Sequence, residues 1–408
     1  MYNLNLTPEQ IEFRDTIADF ARSRIKPAAI HPDHLEPFAK PLLMDLLDEA
    51  SSLGIRSLLV SEEAGGIGAD GLTACLIFEE LSAGDVDIAV TLANTALAAK
   101  LLFDQLMTPD QKKKYLLPFI DDEQFHLAFA CDGSQNRSGW NYHQPPTSEA
   151  TSQLTVQQAG SGWRVDGRLT DVVNADVAKL IALWVPDHGI FLLPRGTEGL
   201  KLDSKNDPFA RTTSSKETAV SWSHGVVSDC VFDDCRLDTD QCITPTSGNV
   251  QSIQELLQGT ILVQAAIQLG IAKIALETAV EYAKLRRQGG RNIVEHQAIG
   301  TKIADMTIKL ESTRAMVWKA AWVSDHPEAI ADRSLPNLPY TVMAQTLVAD
   351  SVNEITLLAA EFFGAMGVMR DMPLQKYVND SFIFTSSNGL DSATKLLVAE
   401  AVADYRDE

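Results

Sequence analysis

The sequence is short of positive charge. Lysine and arginine number 34 against 55 aspartates and glutamates, giving a formal net charge of -21 and a pI near 4.7. A surface this acidic repels phosphate backbones and anionic lipid head groups, which argues against nucleic acid and membrane surfaces as partners. The densest local cationic patches are Lys112, Lys113 and Lys114, and the run Lys284, Arg286, Arg287 and Arg291. Runs of this kind are also ordinary on solvated helix faces. Cysteine is scarce and scattered, at Cys75, Cys131, Cys230, Cys235 and Cys242. No CxxC spacing marks a zinc site, and an odd count excludes a complete disulfide framework, so reduced structural thiols are expected. Cys230 and Cys235 read as a coincidence and not as a redox pair. The eight histidines form no HExxH or triad-like pattern. Met1 to Gln10 show no basic start followed by an apolar stretch, and no apolar run is read as long enough to span a membrane. The cytosol is the expected compartment.

What is present is an ordinary globular balance, 45% hydrophobic and 22% charged, over a length that exceeds one cooperative core. From Thr7 to about Phe129 apolar residues recur at three- and four-residue spacing, as in Ile11, Phe13, Ile17, Phe20 and Ile25, which predicts amphipathic helices. Thr7 with Gln10 fits an N-terminal capping box. Gly65, Gly66, Gly68 and Gly71 read as a turn between helices, since no Lys-Ser or Lys-Thr follows to make a phosphate loop. Between Ala130 and Ile243 the texture changes to short runs such as Trp163-Arg164-Val165 and Ile190-Phe191-Leu192-Leu193, the pattern of a β domain. The polar stretch from Asp203 to Thr218 reads as a surface loop. From Val250 onward helical periodicity returns near 250 to 287, 294 to 325, 338 to 362 and 389 to 405, a four-helix bundle broken by Pro327, Pro336, Pro339 and Pro373. Gly259, Ala265, Ala266 and Gly270 would let a neighbour approach the first long helix closely. The predicted class is α+β, mainly α, with boundaries at 1–129, 130–245 and 246–408.

Local sequence adds a resemblance. Ser61-Glu62-Glu63-Ala64-Gly65-Gly66-Ile67-Gly68, Ile77-Phe78-Glu79-Glu80-Leu81-Ser82, Gln111-Lys112-Lys113-Lys114-Tyr115-Leu116, Tyr282-Ala283-x-x-Arg286, Glu295-His296-Gln297-Ala298-Ile299 with Ile303-Ala304-Asp305-Met306, and Phe363-Gly364-x-x-Gly367 follow one another in order. In these segments the chain resembles acyl-CoA dehydrogenases. The resemblance implies FAD lying between the β domain and the C-terminal bundle, part of it held by a neighbouring subunit, so a homo- or hetero-oligomer with another chain of this kind is expected. It implies an acyl-CoA or acyl-carrier thioester as substrate, a carboxylate that removes the α-proton, and a flavin that takes the β-hydrogen as hydride. Such a base must sit within about 3 Å of the proton it takes.

On that resemblance the site is altered. The family's Tyr-Glu-Gly-Thr motif falls on Ser387-Asn388-Gly389-Leu390, so Asn388 stands where the base is expected, and an amide does not accept the α-proton near neutral pH. Members that carry the glutamate on the long helix would place it at Thr260, followed by Ile261 in the place of a substrate-binding arginine. The Trp-Ile-Ser/Thr stretch that packs on the isoalloxazine falls on Asp171, Val172 and Val173, and the Thr-Glu-Pro-Gly-Ala-Gly-Ser motif survives as Cys131-Asp132-Gly133-Ser134. In the Arg-x-x-Phe-Gly motif Arg286 and Gly290 remain while Gly289 replaces the aromatic. Glu361 replaces a glutamine that faces the same phosphates, where a carboxylate repels them unless paired. Gly364 and Gly367 keep the adjoining turn. His296 reads as a structural helix residue, and Met366, Met369 and Met372 as flexible core filling.

Three readings follow. The chain is a base-less subunit that completes the FAD site of a catalytic partner; or a homomeric flavoenzyme with its base moved to Asp391, Glu255 or Asp171; or a flavin-free thioester-binding protein on the same fold. Asp391 also suits a helix N-terminus, where an acid is favoured by the dipole.

Overall fold

Thr7 opens the first helix as its spacing from Gln10 predicts. Its hydroxyl accepts from the Gln10 amide at 3.2 Å, and the Gln10 side chain accepts from the Thr7 amide at 2.9 Å, so two otherwise orphaned donors are satisfied reciprocally. The computed structural model describes residues 5–30, 42–132, 152–204, 224–244, 246–369, 372–387 and 392–403. Helices α1 (Pro8–Phe20), α2 (Met44–Ser52), α3 (Gly71–Gly84), α4 (Val86–Ala99) and α5 (Pro109–Asp121) come first. Strands β1 (His126–Cys131), β2 (Leu154–Ala159), β3 (Gly162–Val173), β4 (Ala178–Val185), β5 (Gly189–Pro194), β6 (Leu200–Ser204), β7 (Val227–Leu237) and β8 (Cys242–Ile243) follow. The chain then returns to helix with α6 (Ser247–Leu285), a short hairpin of β9 (Arg287–Gln288) and β10 (Arg291–Asn292), α7 (Gln297–Asp325), α8 (Tyr340–Phe362), α9 (Pro373–Ser387) and α10 (Ser392–Ala403).

By contact the chain divides into two compact units, one of Met1–Pro41, Asp70–Ala89 and Ile261–Glu408, the other of Leu42–Ala69 and Val90–Thr260. In the second unit the strands form two four-stranded sheets, ordered β1-β4-β5-β8 and β2-β3-β7-β6. Only the β1–β4 pair is parallel within them. Their shared core holds Val165, Leu183, Phe191, Leu193 and Cys230, all fully buried. A polar knot ties β1 and the β3–β4 turn to α4. The buried Asn174 amide donates to the carbonyls of Thr91 at 2.8 Å and Leu127 at 3.1 Å, and Thr95 Oγ1 lies 3.5 Å from His126 Nδ1. Among the described residues, which include all five cysteines, no disulfide is formed.

In the first unit α3 packs directly on α6. A Cβ on Gly270 would stand 1.9 Å from Ser82 Oγ and 2.3 Å from the Glu79 carbonyl, so glycine there is required by the close approach the sequence suggested. Ser82 Oγ donates to the Ile267 carbonyl at 2.8 Å across the same contact. Arg314 of α7 meets Glu79 at 2.6 Å, Lys273 of α6 pairs with Glu80, and Lys376 of α9 meets Asp380 at 2.6 Å and Asp85 at 3.5 Å.

Two expectations are revised. Pro373 reads as a breaker in the sequence, yet it occupies the first turn of α9, where its missing N–H would be unpaired anyway; a fifth long helix therefore joins the C-terminal set. Val86–Leu106 and Gly248–Leu285 are also long and apolar enough to cross a membrane by length and composition, with mean hydropathies of 1.5 and 1.6. Of their most apolar windows 83% and 72% is buried inside the protein, as in core helices.

Two measurements check this packing. Arg314→Met leaves Glu79 buried without its partner and should cost about 3–5 kcal/mol in denaturant unfolding; a loss below about 1 kcal/mol would show that the pair contributes little. Burial, reinforced by Arg56 and opposed by Asp122, lowers His126 from 6.5 to about 4. The unfolded chain then takes a proton that the folded chain refuses, so stability should fall as pH drops from 6.5 to about 4, by at most about 3 kcal/mol. His126→Gln should flatten that part of the profile of urea midpoints, and an unaltered slope would assign it to other groups.

Candidate functional site

The β9–β10 hairpin joins the C-terminal end of α6 to the N-terminal end of α7. Gly289 and Gly290 form its two-residue turn with φ of 61° and 84°, the two left-handed positions that a type I′ turn demands. Arg286 follows directly on α6, four positions after Tyr282, and its amide still donates to the Tyr282 carbonyl at 2.9 Å, so the two lie on one side of the chain. The Tyr282 ring stacks on Phe363 with centroids 4.0 Å apart and planes 17° from parallel. Phe363 leaves α8 and leads into a tight turn over Gly364–Val368. Gly364 has φ 56°, and a Cβ on Gly367 would stand 2.4 Å from the Ala360 carbonyl, so each glycine is fixed by backbone geometry. These parts border a groove of about 620 Å³ whose lining includes Tyr282, Arg286, His296, Glu361, Phe363 and Gly364.

The electrostatics of the groove favour an anion. Arg286, Arg287 and Arg291 are exposed and make no ion pair among the described residues. The other cationic patch behaves differently, with Lys113 on Asp110 at 3.0 Å and Lys114 on Asp240 at 3.3 Å. Glu361 is paired with Lys302, so its carboxylate is not an isolated negative charge. Helix α7 begins beside the groove with no side-chain cap, and such an end presents free N–H groups and the positive pole of the helix. His296 Nε2 lies 2.9 Å from the Gln288 carbonyl and braces the hairpin.

The sequence-derived candidates divide by place. Arg286, Glu361 and Gly364 meet in the groove, with Gly290 in its hairpin and Gly367 in its turn. Asp171 and Val173 belong to β3. The Asp171 amide donates to Asp229 at 3.0 Å while its side chain is exposed; Val173 stands opposite Val227 and carries no hydrogen-bonding group. Thr260 donates its hydroxyl to the Leu256 carbonyl at 2.9 Å, and the exposed Glu255 accepts from Gln251 at 3.1 Å. Five residues apart on α6, Thr260 and Glu255 lie roughly 140° from each other around the axis and do not converge. Asn388, Asp391 and Ser134 lie outside the described residues. Two groove features escaped the sequence reading. The Tyr282–Phe363 stack had a partial signal in the four-residue spacing to Arg286; the Lys302–Glu361 pair had none, since its members lie 59 positions apart.

The groove thus fits the diphosphate and an aromatic base of a dinucleotide: the Arg286 guanidinium in its lining, with Arg287 and Arg291 on the adjoining hairpin, for the phosphates, and a ring floor beside them. Comparison with known proteins agrees with that inventory. Residues 7–123 match the family model described as acyl-CoA dehydrogenase, N-terminal domain, and residues 250–403 the one described as acyl-CoA dehydrogenase, C-terminal domain. The chain belongs to the acyl-CoA dehydrogenase family. The short-chain specific acyl-CoA dehydrogenase of Homo sapiens mitochondria is 28% identical over 397 residues, covering 94% of this chain and 87% of that one. The short-chain specific acyl-CoA dehydrogenase of Megasphaera elsdenii is 26% identical over 416 residues, covering 98% and 99%. Among solved structures, butyryl-CoA dehydrogenase from Megasphaera elsdenii superposes with a TM-score of 0.78 at 24% identity, covering 98% of this chain and 100% of that one. A chain from a structure described as the electron transferring flavoprotein of Acidaminococcus fermentans gives 0.80 at 25%, covering 100% of both.

For this member of the acyl-CoA dehydrogenase family, Arg286→Met should weaken ADP binding about tenfold, the loss of about 1.4 kcal/mol, with an unchanged melting temperature because the side chain is exposed. Equal ADP affinity in wild type and variant would remove Arg286 from the site.

Proposed function

We propose that this chain is a subunit of an acyl-CoA dehydrogenase that helps to hold FAD and an acyl-CoA or acyl-carrier thioester but supplies no base, its groove completing the FAD site of a neighbouring chain of the same family. The observation that carries this reading is the set of exposed cations around Arg286 beside the Gly364 turn, with no ion pair among the described residues, kept while the family's base motif is read on Asn388. FAD, where bound, supplies the hydride acceptor for α,β-desaturation. The chain's own residues bind and orient: Arg286 neutralises phosphate charge, and the stacked Tyr282 and Phe363 give a rigid apolar wall to the groove. Thr260 is not acidic and its hydroxyl is committed to the helix, and Val173 leaves the flavin side of β3 without a hydroxyl.

The partner this reading requires is a second chain of the family that carries the glutamate. Purified alone, the chain should be nearly colourless, with little FAD in the denatured supernatant. Co-expressed with a base-bearing relative it should yield a yellow complex in which α,β-desaturation depends on that relative's glutamate. One FAD per chain together with thioester oxidation by the chain alone would overturn the proposal.

A further inference from the structure

The groove reading leaves one charge unexplained. Glu361 lines the groove, and a lone carboxylate facing phosphates would cancel the benefit of Arg286. Its partner, Lys302, stands on the second turn of α7, six residues after His296, and brings its ammonium to the Glu361 carboxylate. Lys302 is not itself among the residues that line the groove, and its contact with Glu361, which is, brings its Nζ to the rim. Both members are solvent-accessible, with side-chain exposures of 38% and 56%, so the pair is weak. A lysine stem is flexible and its three donors rotate freely.

We propose that Lys302 is a phosphate ligand of this groove held in reserve by Glu361, released when a diphosphate arrives and recaptured when it leaves. This rests on the groove being a dinucleotide half-site. The exchange makes and breaks no covalent bond: an ammonium–carboxylate contact is replaced by an ammonium–phosphate contact, and the freed carboxylate returns to water. Its consequence is a retention threshold. Glu361 competes with the ligand for Lys302, so this chain holds a dinucleotide less tightly than it would with an uncharged residue at 361, which suits a half-site that must close only together with a partner.

The structure provides its own control. Lys309 and Glu354 form the same kind of pair between the same two helices, with exposures of 32% and 52%, and neither residue is among those that line the groove. ADP is the probe, titrated calorimetrically into the full chain. Glu361→Gln should tighten ADP binding about three- to tenfold, and Lys302→Met should weaken it about tenfold or more. Lys302→Arg should retain most of the affinity, and the double variant should fall between the two single ones. Lys309→Met should bind as wild type. Should Lys302→Met and Lys309→Met bind ADP equally well, or Glu361→Gln weaken binding, the reserve role of Lys302 is wrong while the groove stands. A wild-type chain that takes up neither ADP nor FAD removes the half-site itself, and Lys302 with it. Unchanged melting temperatures of the single variants separate these outcomes from loss of fold.

Discussion

Helix α3 carries two adjacent glutamates into the interior of the helical unit, and each is met by a cation from a different helix. Arg314 of α7 takes Glu79 and Lys273 of α6 takes Glu80. A buried carboxylate is costly unless paired, so these two contacts fix how α6 and α7 pass over α3. Gly270 permits the approach, and Ser82 seals it through the Ile267 carbonyl. One side of the groove hangs from the far ends of these two helices, and the end of α8 with its Gly364 turn supplies the other. Arg286 leaves the last turn of α6, and His296, Ile299 and Lys302 open α7. A framework fixed by buried charge thus delivers exposed charge to one place.

That distribution says what the unit can do. Cations with no acidic partner among the described residues, an uncapped helix end and a stacked aromatic wall are the ingredients of anion and base recognition. None of them moves a proton. The β3 strand holds its bulge through Asp229, which accepts from the Asp171 amide at 3.0 Å and from Arg168 at 2.5 Å, and its Val173 adds no polar group. Binding chemistry is therefore concentrated in the helical unit, and the proposed function takes the base from a neighbouring chain. The proposed division of labour between related chains would account for three exposed arginines that make no ion pair among the described residues of an acidic protein.

Much of this was legible in the sequence. The capping box at Thr7, the β texture of the middle segment and the small residues on α6 each follow from short-range rules, where one or two neighbouring residues decide the geometry; the first strand, His126–Cys131, begins a few residues earlier than the texture suggests. Gly364 and Gly367 were recognisable as a turn, though the reasons for them, a left-handed backbone at one and a carbonyl contact at the other, required coordinates. Pro373 was misread because proline starts helices as readily as it ends them, and only the following residues, packed against α8, tell which. The pairs Lys302–Glu361 and Glu79–Arg314 were illegible in principle: no local pattern links residues 59 and 235 positions apart.

The most direct test of the account is a structure of the flavin-loaded oligomer that contains this chain. It should show Arg286 within hydrogen-bonding distance of a pyrophosphate whose flavin ring lies against a neighbouring chain that bears a glutamate at the base position. A flavin held wholly by this chain's own residues, with Arg286 in solvent, would contradict it.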